Sequence, residues 1–146
     1  MPFARSFFYS APVVPRLAKS LRVLAAEIDD RWPDRPDHLD GWIGDKAHAA
    51  RVSDHNPDRA GIVRALDVTS IGIEPWRIIE AAKRHPAAHY VIHQGQIWDA
   101  DLGWAARSYS GPNSHADHLH ISVRRGRHAA SSRPWGVALP SSTRRG

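Results

Sequence analysis

Between Val14 and Trp32, apolar side chains fall at Leu17, Leu21, Leu24, Ala25, Ile28 and Trp32 among mostly polar neighbours. Spacing of three and four residues predicts a helix with one core face, and the prolines of "WPDRP" end it. A second helical pattern runs through "EPWRIIEAAKRH", where Glu74 and Pro75 suit the first turn and Lys83, Arg84 and His85 the last. Elsewhere the period shortens to two. "IVRALDVTS" alternates so that Val63, Ala65, Asp67 and Thr69 share one face, "HYVIHQGQIWDA" holds two β-like runs around a Gln-Gly turn, and "HLHISV" reads as a final strand.

The segments between these elements are loops by composition. "DRPDHLDGWIGD", "DHNPDRAG" and "GWAARSYSGPNS" are dense in Asp, Pro, Gly, Asn and Ser, while "KAHAARVS" fits a helical turn and a short strand equally. The order helix, strand, helix, hairpin, strand predicts an α+β fold: a small, mainly antiparallel sheet with helices packed on it. A length of 146 residues fits one domain, which we place at residues 1–125, followed by a basic, flexible tail at 126–146.

Composition narrows the chemistry. The chain has no cysteine, so disulfides, thiolate zinc sites and a cysteine nucleophile are excluded together, and any metal must rest on His, Asp or Glu. Residues 1–120 carry 14 Lys and Arg against 15 Asp and Glu, a net −1, whereas residues 121–146 carry six Arg and no acid. The basicity therefore belongs to the tail, which could hold nucleic acid, an anionic cell-wall polymer or a membrane surface, although short basic tails are more often simply solvated and mobile. The body shows no Lys and Arg stripe interleaved with aromatics, which argues against nucleic acid. No apolar run approaches the roughly 20 residues needed to span a bilayer. "FFYSAPVVP" is short and proline-broken for a signal-peptide core, so the expectation is a soluble chain with no export signal of its own.

The titratable residues concentrate in two places. In "SHADHLHISV", strand alternation puts His118 and His120 on one face, about 7 Å apart along the backbone at a rise near 3.3 Å per residue, with His115 and Asp117 just before them. In "SDHNPDRAGIVRALDVT", His55 lies on a loop and Asp67 inside an otherwise apolar strand, where a carboxylate without a partner is expensive to bury. Asp67 could pair with Arg51 or Arg64, or it could face a cation. His55, Asp67 and one histidine of the HLH pair would give three N/O ligands with a fourth position open, the composition of a catalytic zinc site.

These residues resemble those of a family of zinc peptidases of peptidoglycan: the D-Ala-D-Ala carboxypeptidases, phage L-Ala-D-Glu endolysins and penicillin-insensitive murein endopeptidases, with the hedgehog signalling domain as a structural cousin. The family's first motif reads SxHxxGxAxD, and Ser53, His55, Gly61, Ala65 and Asp67 supply its lettered residues in order. Asp67 lies twelve residues after His55, so the "NPDRAGIVR" loop is longer than the family's usual one. The second motif is an acid followed three residues later by a histidine, which Asp117 and His120 satisfy, or HxxHxH, which His115, His118 and His120 satisfy. The likeness covers roughly residues 40–123 and implies a hedgehog/D-Ala-D-Ala carboxypeptidase-like fold.

The resemblance also implies roles. Zn2+ would be held by His55, Asp67 and His120, with Asp117 or His118 as the general base. Asp45 and His48 would lie around the ligands, and Arg51, His48 or His115 would stabilise the oxyanion. The implied activity is hydrolysis of a peptide bond in the peptidoglycan stem at the bacterial cell wall, by a chain made in the cytoplasm and released as phage lysins are. Trp98, Trp104 and Tyr109 lie between the hairpin and the second motif and would wall a cleft or serve the core. Two rivals keep the metal and change the activity: a zinc-bearing binding module without turnover, and a metal-dependent nuclease.

Overall fold

The computed structural model describes residues 13–43 and 53–138, and Asp45, His48 and Arg51 lie outside the described residues. The fold is α+β, with two helices and a five-stranded antiparallel sheet among the described residues. Strand β1 (Arg16–Leu17) leads into helix α1 (Lys19–Arg31), and β2 (Ile62–Val63) into β3 (Ala65–Thr69). Helix α2 (Pro75–Lys83), strands β4 (Ala88–His93) and β5 (Gln96–Asp99), a short 3-10 turn, β6 (Arg107–Ser108) and β7 (His118–Val123) complete the order.

The first helix starts later than its apolar pattern predicts. Pro15 lacks an N–H and biases Val14 toward extended backbone, so the chain enters as a strand. Arg16 and Leu17 pair in parallel with Ile62 and Val63, and the Ala18 amide donates to the Val63 carbonyl at 2.9 Å before the helix begins. From there α1 buries Ser20, Leu21, Leu24 and Ile28 on one face. In α2, Pro75 occupies the first turn, where its missing N–H is harmless, and Ile78, Ile79, Ala81 and Ala82 are buried.

The sheet order is β3-β7-β4-β5-β6, so β7 lies between β3 and β4. Alternation gives the sheet two different faces. Leu66 and Val68 of β3, Leu119, Ile121 and Val123 of β7, and Val91 of β4 join the helices in one core. The intervening Asp67, Thr69, His118, His120, Ser122 and Tyr90 belong to the other face. Register then decides which of them meet: Asp67 pairs with His120, Thr69 with His118, Tyr90 with Ser122 and Ile92 with His120.

The outer edge of β3 is covered by the loop before residue 43. Gly41 exchanges backbone hydrogen bonds with Asp67 at 2.7 and 3.2 Å, and the Leu39 amide donates to Thr69 Oγ1. Asp40 accepts from the Thr69 amide and, with Asp29, holds the Arg35 guanidinium. At the hairpin, Gln94 and Gly95 both have positive φ, 49° and 73°, as a two-residue type I′ turn requires.

The expected flexible tail is instead packed as far as residue 138. Trp135 is 3% exposed and its indole N–H donates to the Ser20 carbonyl at 2.8 Å. The Glu27 carboxylate accepts from the amides of Trp135, Gly136 and Val137. The arginines of the strip carry its composition, but Ala129, Trp135 and Val137 among them join the same core as the apolar face of α1.

His85 stacks on Trp135 with ring centroids 4.0 Å apart, and its Nε2–H donates to the Arg133 carbonyl. Burial outweighs the hydrogen bond to the Arg133 carbonyl and, with the Arg133 charge acting in the same direction, leaves this imidazole below its ordinary value of 6.5. A histidine depressed in the fold is neutral there while the unfolded chain takes up a proton, so stability is full above 6.5 and is lost as pH falls below it. Melting temperature is expected to fall between pH 7.5 and 5.5, and to fall less steeply in His85→Gln than in the wild type.

Candidate metal centre

Three ligand atoms converge where β3, β7 and the 53–56 turn meet. His55 Nε2 is 3.1 Å from His120 Nδ1, and each lies 3.3 Å from Asp67 Oδ1. Asp67 and His120 arrive there as directly opposed cross-strand partners. His55 arrives on a turn in which its own amide donates to Ser53 Oγ at 3.2 Å, so Ser53 shapes the turn that presents the ring.

The longer loop between His55 and Asp67 is folded on itself by Asp58. Its Oδ1 accepts from the amides of Ala60 and Ile62 at 2.9 and 3.0 Å. Gly61 turns at φ +83°, and a Cβ there would run into Val13. The extra residues therefore close before the strand begins and leave Asp67 in register.

The other nitrogen of each ring fixes what the converging nitrogens carry. His55 Nδ1 is 3.0 Å from the Trp42 carbonyl, which can only accept, so the proton sits on Nδ1 and Nε2 presents a lone pair. His120 Nε2 is 2.7 Å from Ser122 Oγ. Ser122 also interacts with the Asp54 carboxylate, which can only accept, so with its hydroxyl proton turned to Asp54 the Ser122 oxygen receives the His120 Nε2–H. His120 Nδ1 then also presents a lone pair. Asp67 Oδ1 is buried and has no hydrogen bond among the described residues.

Two imidazole lone pairs and a carboxylate oxygen aimed at one point repel each other unless a cation lies between them. Tetrahedral zinc with N and O ligands at about 2.0–2.1 Å spaces its ligand atoms roughly 3.3–3.4 Å apart, which is close to the edges of this triangle. His55, Asp67 and His120 thus form a group that could hold a zinc-sized ion. The acid–base environment agrees with an anionic ligand set. Burial pushes Asp67 up, but the His120 and His55 rings outweigh it and hold the carboxyl far below the usual carboxylate range. Burial pushes His120 down against the pull of Asp67. For His55, burial lowers the ring and Asp67 outweighs it, leaving the ring above its ordinary value.

Around the triad lies a partly buried polar chain that no motif identified. Asp54 accepts from Tyr90 Oη at 2.8 Å and lies 3.1 Å from Arg64 Nη2, so Arg64 partners Asp54 and not Asp67. Tyr90 also stacks on His120, with ring centroids 5.4 Å apart. Strand alternation alone puts Ser122 on the face of His120. Asp54 and Tyr90 are brought in by long-range folding and left no local signal. Outer partners of metal-bound histidines typically contribute 10–100-fold in affinity. Asp54→Asn is expected to weaken zinc binding by about that factor in a chelator competition, with Ser122→Ala showing a similar loss.

A cleft of about 350 Å³ opens over the triad, lined by His115, His118, Tyr90, Tyr109, Asn113 and Ser53 among others. Of the three aromatics expected between hairpin and second motif, only Tyr109 walls it, while Trp98 and Trp104 pack against the core. His118 Nδ1 is 2.8 Å from Asp117 Oδ1, and its Nε2 is 3.9 Å from Asp67 Oδ2. The Asp117 side chain is 64% exposed, against 13% for His118.

The wall carrying His115 hangs from the hairpin tip. The Gln94 and Gly95 amides donate to the carbonyls of His115 and Ser114, and His93 Nδ1 lies 3.0 and 3.1 Å from the carbonyls of His115 and His118. His115 itself has φ 56°, with its amide capped by Asn113 Oδ1 at 2.9 Å. Burial, reinforced by the neighbouring His120 and His118, pushes its imidazole down to about 4.

The chain matches no family model, no curated protein and no solved structure. No helix among the described residues is long and apolar enough to cross a membrane.

Proposed function

We propose that this chain is a zinc-dependent peptidase that hydrolyses a peptide bond in the peptidoglycan stem, on a hedgehog/D-Ala-D-Ala carboxypeptidase-like fold, and acts at the bacterial cell wall. The observation that carries the reading is the convergence of His55 Nε2, His120 Nδ1 and Asp67 Oδ1 at the floor of an open cleft, with tautomers that leave lone pairs on both nitrogens. A zinc ion bound there would acidify an attacking water and polarise the scissile carbonyl.

The other residues then divide by what their atoms can do. His118 keeps its proton on Nδ1, given to Asp117, so its Nε2 is free to take the proton of the attacking water and to return it to the leaving amine. Asp117 holds that tautomer and steadies the ring once it is charged, which makes it a positioning residue. His115, buried and held neutral over most of the physiological range, offers the cleft a hydrogen-bonding wall. The exposed Arg125, Arg127 and Arg133 of the packed C-terminal strip supply the positive surface that would hold an anionic wall polymer.

The substrate class comes from the motif resemblance and is tested directly. Zinc-loaded protein incubated with defined muropeptides is expected to yield one new pair of fragments by mass spectrometry, and their masses identify the bond. Intact muropeptides together with nicked DNA would sink the peptidase in favour of a nuclease; intact muropeptides retained on the protein would favour a binding module.

A further inference from the structure

Asp67 has two oxygens, and the triad uses one of them. Oδ2 lies toward His118, whose Nε2 is 3.9 Å away and carries a lone pair because Nδ1 serves Asp117. His115 completes a second grouping: Asp67, His115 and His118 each offer a ligand atom within 4.8 Å of the others. His115 is 7% exposed, and its Nδ1 is buried without a hydrogen-bond partner among the described residues. A buried ring nitrogen in that state is costly unless something binds it. Its ring is held in place by the left-handed backbone at φ 56° and by contact with His118 and His120, at centroid distances of 4.8 and 5.5 Å.

We infer that Asp67, His115 and His118 form a second, weaker site for a divalent cation of zinc-like preference, and that filling it shuts the enzyme off. Two imidazoles and a carboxylate oxygen are a borderline-soft donor set, suited to zinc over calcium or magnesium. The His118 Nε2–Asp67 Oδ2 edge, at 3.9 Å, is longer than the 3.1 and 3.3 Å edges of the first triangle, so these side chains must close up around an ion and the affinity is lower. An ion there engages the His118 Nε2 lone pair, the one that would otherwise take the proton from water. Asp67 would then bridge two cations through its two oxygens. The binding stands on the geometry alone, while the inhibition rests on the peptidase reading. A third grouping, His89, Asp99 and Asp101, is excluded because Arg124 already occupies Asp101 at 2.7 Å.

The test is a zinc titration of the metal-free full-length chain against a chromophoric chelator, followed by muropeptide cleavage at each loading. Two steps are expected, the second at least tenfold weaker than the first. His115→Asn, chosen because asparagine tolerates the left-handed backbone, should remove the second step and leave the first; His118→Gln should do the same. Cleavage by the wild type should peak near one equivalent and fall at least tenfold as the second step fills. A single step of one zinc per chain overturns the proposal, as does a second step that survives both substitutions. If no muropeptide is cleaved at any loading, the peptidase reading fails while the titration still decides whether the second site exists.

Discussion

Asp67→Ala is expected to remove bound zinc and muropeptide cleavage together. The substitution takes away the only anionic ligand of the triad and leaves two imidazoles whose lone pairs converge on an empty point. Losing a partner outside the ligand shell already costs 10–100-fold in metal affinity, so losing a ligand should cost more than about a hundredfold. Metal content after dialysis is the measurement. Asp117→Ala is the control, because its carboxylate is exposed and turned to His118 Nδ1; it should retain about one zinc per chain. Zinc loss in both variants would make Asp117 a ligand and overturn the assignment of His120, Asp67 and His55.

The second large effect separates the two candidate bases. His118→Gln should lower kcat by about 10²–10⁴, the usual contribution of a general base, while the first zinc stays bound. Asp117→Asn should cost less, about 10–100-fold, because the ring remains in place and only its tautomer and its charged form lose support. The ordering follows from position: His118 Nε2 faces the cleft beside Asp67, and Asp117 reaches the site only through His118. If Asp117 takes the proton itself, the ordering of the two losses reverses, and kcat measured at matched zinc occupancy would show it.

Much of this site was readable before any fold was known. Alternation put His118 and His120 on one face, and an acid at Asp67 inside an apolar strand needed a partner. What alternation cannot give is register. Only the β3–β7 pairing places Asp67 opposite His120, and a slip of one residue would have turned every ligand on one strand to the core. β1 and β6 leave no signal because two-residue strands have no period to detect, and β2 and β3 read as one continuous strand that the structure breaks at Arg64. Helix α1 was started too early because Leu17 matches the helical stripe while serving a strand. The packing of the C-terminal strip is hidden for a different reason: composition weighs its arginines, whereas Glu27 and the pocket for Trp135 act through a fold-level contact spanning more than a hundred residues.

The hairpin tip gives the cleft a second, independent foundation. The ligands are fixed by strand register, but the wall bearing His115 is fixed by two amides of a turn, at Gln94 and Gly95. Scaffold and selectivity are thereby separable: lengthening or reshaping that turn would re-aim the wall over an unchanged metal triad. On the proposed peptidase reading, a library confined to residues 94–95 and 109–114 is where substrate preference would be redirected without rebuilding the candidate metal centre.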